Sequence, residues 1–154
     1  MPIYQLERKQ LINAPIQDIW RFFSSPANLK VITPDYMNFV ITSGELPQAI
    51  HAGQTITYKV SPILGIPLNW ETAITEAVEH QYFVDEQKKG PYKLWRHKHV
   101  FEEKEGGVLM TDIVSYELPL GILGVMAHGL FVRRQLEGIF NFRFRKIEEL
   151  FKKD

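Results

Sequence analysis

Between Tyr36 and Leu118 apolar residues fall on alternate positions in six successive runs, separated only by turn-forming residues. Alternation is the period of a β-strand, and six short strands joined by turns read as an antiparallel meander. The runs share the faces Met37, Phe39 and Ile41; then Ile56, Tyr58 and Val60; then Leu68, Trp70, Thr72, Ile74 and Val78; then Phe83, Asp85 and Gln87. The fifth, Tyr92 to Glu103, carries Trp95, His97, His99 and Phe101 on one side and Arg96, Lys98 and Glu102 on the other. The charged side must meet water, so the Trp-His-His-Phe side faces inward. The sixth carries Val108, Met110, Asp112, Val114, Tyr116 and Leu118.

A sheet with one apolar face needs a cover. Ile122 to Lys152 supplies it, because Met126, Leu130, Leu136, Phe140, Phe144, Ile147 and Phe151 recur at steps of three and four along one helix. Ahead of the meander, Tyr4 to Ile12 reads as a strand. Asn13-Ala14-Pro15 opens a helix through Ile16, Ile19, Trp20 and Phe23, and Ala27 to Ile32 forms a second short one. The 154 residues, 45% of them hydrophobic, suit one domain spanning 1–154. The expected class is α+β: a curved antiparallel sheet, in the order strand, two helices, six strands, helix, wrapped around a long C-terminal helix.

Lys plus Arg and Asp plus Glu both total 18, so the summed charge gives no field to draw in nucleic acid. The chain has no Cys, which removes disulfides and thiolate chemistry and fits a reducing, cytoplasmic location. The N-terminus lacks the basic start and apolar run of a signal peptide. Leu118 to Val132, the longest apolar stretch, falls short of the ~20 residues that span a bilayer, so no membrane span is expected. Phosphate-loop, dinucleotide, zinc-protease and nucleophile-elbow motifs are absent, and no cofactor is expected.

The element order, together with Phe83-Val84-Asp85-Glu86-Gln87, Gly90-Pro91-Tyr92, Trp95 to Glu102, Met110-Thr111-Asp112 and Tyr116 to Gly121, resembles the SRPBCC superfamily, which includes the START and Bet v 1-like proteins. Within it the chain is similar to a cyclase/dehydrase-like, ligand-binding subgroup. The resemblance implies the helix-grip fold and an internal cavity for a hydrophobic ligand.

The hairpin Glu103 to Val108 fixes a register. If those two residues pair, then Phe101 lies opposite Met110, His99 opposite Asp112, His97 opposite Val114 and Trp95 opposite Tyr116. His99 and Asp112 are thus inward neighbours with three readings: a structural pair, an anchor for a ligand carbonyl or hydroxyl, or a general base in an aldol or dehydration step. His97, His99 and Asp112 resemble a metal-binding facial triad, but strand neighbours ~7 Å apart converge on one ion only by distortion, so no metal is expected.

The cavity is expected to be lined by Trp70, Phe83, Trp95, His97, His99, Met110, Asp112, Tyr116, Arg133 and Phe140. Arg133 either pairs with Glu137 along the helix or holds an acidic ligand group. Gly129, on the expected inner face, leaves room for ligand or packs closely. The loops 61–67, 88–91 and 119–124, two of them apolar and rich in Gly and Pro, fall at one end of the meander and form a ligand entrance or close that end. Phe131, Gln135 and Phe142 form a second, outward stripe that either suits a homodimer or protein partner or packs under a loop. Three functions follow: a carrier of a small hydrophobic molecule such as a lipid, isoprenoid or polyketide-like compound; a cyclase or dehydratase using His99 and Asp112; and a cochaperone-like interaction module.

Overall fold

A computed structural model describes residues 2–44 and 49–152. Seven strands form one curved antiparallel sheet in the order β1-β7-β6-β5-β4-β3-β2. They are β1 (Tyr4–Ile12), β2 (Val40–Ile41), β3 (Thr55–Ile63), β4 (Ile66–Val78), β5 (Tyr82–Lys89), β6 (Leu94–Lys104) and β7 (Gly107–Glu117). Helix α1 (Ile16–Phe23) and two 3-10 turns (Pro26–Lys30 and Asp35–Met37) follow β1. The chain ends in α2 (Ile122–Ala127), a π turn (His128–Val132) and α3 (Arg133–Leu150), which continue one another. This is the expected α+β arrangement.

The β6–β7 register is the expected one, with Glu103 opposite Val108, His99 opposite Asp112 and Trp95 opposite Tyr116. The first run of the meander is mostly not strand. Asn38 adopts a left-handed φ of 49°, which breaks the extended backbone and leaves β2 only two residues long, although Met37 and Phe39 are buried. On β4 a register shift between Ile74 and Glu76 reverses the alternation, so Ala77 packs on the core and Val78 turns outward.

The largest correction concerns the final helix. Its buried positions are Gly124, His128, Leu136, Phe140, Arg143 and Ile147, whereas Met126, Leu130 and Phe144 are exposed. A π turn takes up about one residue more than an α turn, so everything before it is rotated out of the phase that a regular helix would give. Gly129 is therefore exposed, with open space around it. Of the expected outward stripe, Phe131 is 44% exposed, Phe142 is half-buried, and Gln135 Nε2 donates to Pro62 O at 2.6 Å.

Helix α3 is held across the sheet at both ends of its buried stripe. Leu136 and Phe140 pack with Val114 and Tyr116, and Ile147 packs with Met110, Phe101, Trp20 and Ile19. Edge strand β1 is tied to the same helix through Gln10 Nε2, which donates to Phe144 O at 3.0 Å. The phase makes a direct test possible. Ile147→Ala should lower stability by about 2–4 kcal/mol in chemical denaturation, while Leu130→Ala, at a position on the originally expected stripe, should stay within about 0.5 kcal/mol of the parent.

Candidate ligand-binding cavity

Between the sheet and α3 lies a cavity of about 340 Å³. Trp70, Phe83, Trp95, His97, His99 and Phe140 line it, as the inward face of each strand and the helix stripe require. The other four anticipated residues do not. Met110 is packed into the core beneath α1. Asp112 sits behind the imidazoles, and Tyr116 directs its hydroxyl to His128 Nε2 at 2.8 Å. Arg133 is 71% exposed at its side chain and pairs with Glu137 Oε1 at 3.3 Å. Pro62, Leu68, Pro91 and Leu118 line the cavity with Phe131 and Gln135, so residues in or beside the three loops meet at one rim.

Set into the cavity wall is a buried polar ladder, of which only Asp112 stands behind the lining. Asp85 lies across from His97 and Asp112 across from His99, yet each imidazole bonds the diagonal carboxylate. His97 Nε2 meets Asp112 Oδ1 at 2.8 Å, and His99 Nε2 meets Asp85 Oδ2 at 2.8 Å. The two rings stack at 3.7 Å between centroids, and His99 stacks again on Phe83 at 4.0 Å. His99 Nδ1 is also 3.3 Å from Asp112 Oδ1, close enough for charge attraction though outside hydrogen-bonding geometry. Arg143, only 7% exposed, brings Nη2 to 3.6 Å from the same oxygen.

These contacts set the protonation states. Burial opposes ionisation of Asp112, but Arg143 and the two imidazoles outweigh it and hold the carboxyl well below the usual range. Asp85 is likewise lowered against the effect of burial, chiefly by its hydrogen bond to His99. Burial also works against a charged His99, but the two carboxylates beside it win and raise its pKa. His97 goes the other way, down to about 4, because burial and repulsion from His99 exceed the pull of Asp112. With His99 protonated, the form its raised pKa favours, the ladder holds two carboxylates, one imidazolium, one guanidinium and one neutral imidazole, a set whose charges cancel.

Asp85, His97 and His99 place potential metal-ligand atoms within 4.8 Å of one another. The rings lie only 23° from parallel, so their in-plane lone pairs run side by side and do not converge on one point. The residues as arranged do not fit a metal.

Two members of the ladder were not assigned to it from sequence. Asp85 was readable as inward-facing, but its partner depends on the β5–β6 register, which an irregular loop and the β4–β5 register shifts leave undetermined. Arg143 keeps helical step with Leu136, Phe140 and Ile147, but the apolar Phe144 beside it competes for the same stripe. A long cation between Phe140 and Phe144 was the available signal.

The curved seven-stranded sheet with a long C-terminal helix matches the helix-grip fold of Bet v 1-like structures. Among solved structures, a Mycobacterium smegmatis protein superimposes with a TM-score of 0.71 at 18% identity, covering 97% of this chain and 91% of that one. A Chromobacterium violaceum protein gives 0.72 at 11% identity, covering 97% and 98%. Major latex-like protein 151 of Panax ginseng gives 0.66 at 14% identity, covering 98% and 99%. No family model matches the chain, and no curated relative does.

Stability should follow the ladder. Between about 4 and the ordinary imidazole value of 6.5, the unfolded chain binds a proton that folded His97 refuses, so stability rises with pH there. Above 6.5 the folded His99 keeps a proton that the unfolded chain releases, so its contribution is lost as pH rises through the raised value. Thermal melts across pH should therefore peak near 6.5. His97→Gln should flatten the acid limb above pH 4, and His99→Gln the alkaline one.

Proposed function

We propose that this protein binds and carries a small hydrophobic molecule, of the lipid, isoprenoid or polyketide-like kind, inside the cavity. The carrying observation is the cavity itself: about 340 Å³ walled by aromatic and aliphatic side chains, within the size range of small-molecule sites. A few polar tips interrupt that wall. Trp70 Nε1 and the Nε and Nη2 of Arg143 are buried without a hydrogen-bond partner among the described residues. Buried donors of this kind are costly unless an acceptor reaches them. A ligand with an apolar body and a carbonyl or hydroxyl oxygen meets that need. Because the ladder is already neutral, an uncharged ligand suits it better than an anion.

A cyclase or dehydratase working through His99 and Asp112 is the rival reading. It requires a base able to accept a proton at neutral pH. The carboxylates beside His99 raise its pKa and favour its protonated form, His97 with a pKa of about 4 is a weak base, and Asp112 stands behind the cavity wall. The ladder suits an anchoring role better. A cochaperone-like module has no need of an apolar cavity.

The test uses Nile red, an uncharged apolar dye. Its emission should rise and shift to the blue on mixing with the native protein, with quenching of Trp70 and Trp95. Ile139 lines the cavity from α3, so Ile139→Trp should fill part of it and weaken dye binding about tenfold or more while the protein stays folded. Equal dye binding by both proteins would contradict the proposal. Native mass spectrometry of freshly purified protein should show added mass from a co-purified ligand.

A further inference from the structure

We infer that the loop end of the molecule, around the cavity rim, docks on the surface of an anionic membrane. The inference stands on exposed surface residues and does not depend on what the cavity holds.

Leu118 to Val132 contains no acidic or basic residue other than His128. An amphipathic helix hides its apolar side and shows a polar one. Here Gly124 and His128 are the buried positions, while Ile122, Leu123, Val125, Met126 and Leu130 face outward. Antiparallel pairing brings the tip of the β3–β4 hairpin to the same end, and the Gln135–Pro62 bond fastens that hairpin to the helix. Leu64 and Ile66 add to the same apolar surface.

Two of these residues are held in a conformation that disfavours them. Leu64 has φ 52° and Leu120 has φ 71°, the left-handed region that Asn and Gly occupy readily and a branched side chain does not. Leu64 is 92% exposed and Leu120 is 77% exposed. Neither leucine repays its strain with burial inside the fold, so both are placed to be buried in something else.

The charges around them say what. Lys88 and Lys89 end β5, Lys93 precedes β6, and Arg133 and Arg134 open α3; all five are exposed. Glu117 pairs with Lys93 and Glu137 with Arg133. Glu71 lies opposite Lys89 in the ladder without forming an ion pair. Lys88, Lys89 and Arg134 have no carboxylate partner among the described ion pairs. A chain of zero net charge thus gathers cations at the end that shows its leucines. Two copies meeting through this face would set cation against cation. Anionic headgroups complement the rim, and the acyl boundary receives the leucines.

Flotation of the full chain with vesicles of phosphatidylcholine containing roughly one-third phosphatidylserine tests this. The protein should bind these vesicles about tenfold or more tightly than pure phosphatidylcholine, and raised salt should release it. The double substitution Leu64→Asn and Leu120→Asn relieves strain, so the variant should melt at or above the parent temperature yet bind at least about tenfold more weakly. Lys88→Glu with Lys89→Glu should weaken binding to the anionic vesicles by about tenfold or more. Ile139→Trp, with its cavity filled, should still bind. Failure of the parent to bind, or undiminished binding by the leucine variant, would overturn the inference. So would loss of binding in Ile139→Trp, which would point to lipid uptake by the cavity, or a parent dimer that Leu130→Glu dissociates, which would assign the face to a second copy.

Discussion

Asp85 and Asp112 are carboxylates placed inside a protein wall, and the arrangement of β5, β6, β7 and α3 follows from keeping them satisfied. A buried charge without partners costs several kcal/mol, so each carboxylate dictates where a cation must stand. His99 answers Asp85 from β6, His97 answers Asp112, and Arg143 comes across from α3 to the same oxygen. A slip of one residue between β6 and β7 would turn both imidazoles to water and leave the carboxylates alone. The ladder also ties helix to sheet with a directional contact, which the apolar clusters on either side do not provide.

That tie lets the interior stay partly open. One cluster packs α1 and the C-terminal part of α3 against Phe101, Val108 and Met110; another packs Val114 and Tyr116 under Leu136 and Phe140; a third gathers Met37, Phe39, Val60 and Trp70 on the far strands. The cavity lies among them, with the ladder in its wall. Solid packing is concentrated where α1 closes the sheet, and the open volume toward the end where the three loops lie. A carrier needs this division, since a uniformly filled core would hold the fold and exclude the ligand.

Strand alternation made much of this legible in the sequence. The inward face of β6 followed from Arg96, Lys98 and Glu102 needing water, and the β6–β7 register followed from a short hairpin with apolar residues on one side. Those are local constraints. The diagonal bonding was not legible, because it depends on two rings stacking after the strands have paired. The β4 register shift turned Val78 outward without leaving a mark in the apolar pattern. Arg143 falls in regular helical step with Leu136, Phe140 and Ile147, but its charge spoke for a surface position, while Arg133 pairs with Glu137 and stays exposed. The site's charge set needed both histidines, both aspartates and the correct arginine, so leaving Arg143 out of the stripe obscured its electrostatics.

The π turn at His128–Val132 has a consequence for how this chain is compared with others. It accommodates about one residue more than a regular helix spanning the same distance. Tyr4 stacks on His128 at 3.5 Å and Tyr116 bonds to it, so the extra residue is held in place by the sheet. Between this chain and a helix-grip relative whose last helix is regular, a one-residue gap therefore belongs inside the helix, where gaps are ordinarily penalised most. Placed elsewhere, it would match Leu130 to a core position and Arg143 to a surface one, and the shared interior would be scored as unrelated.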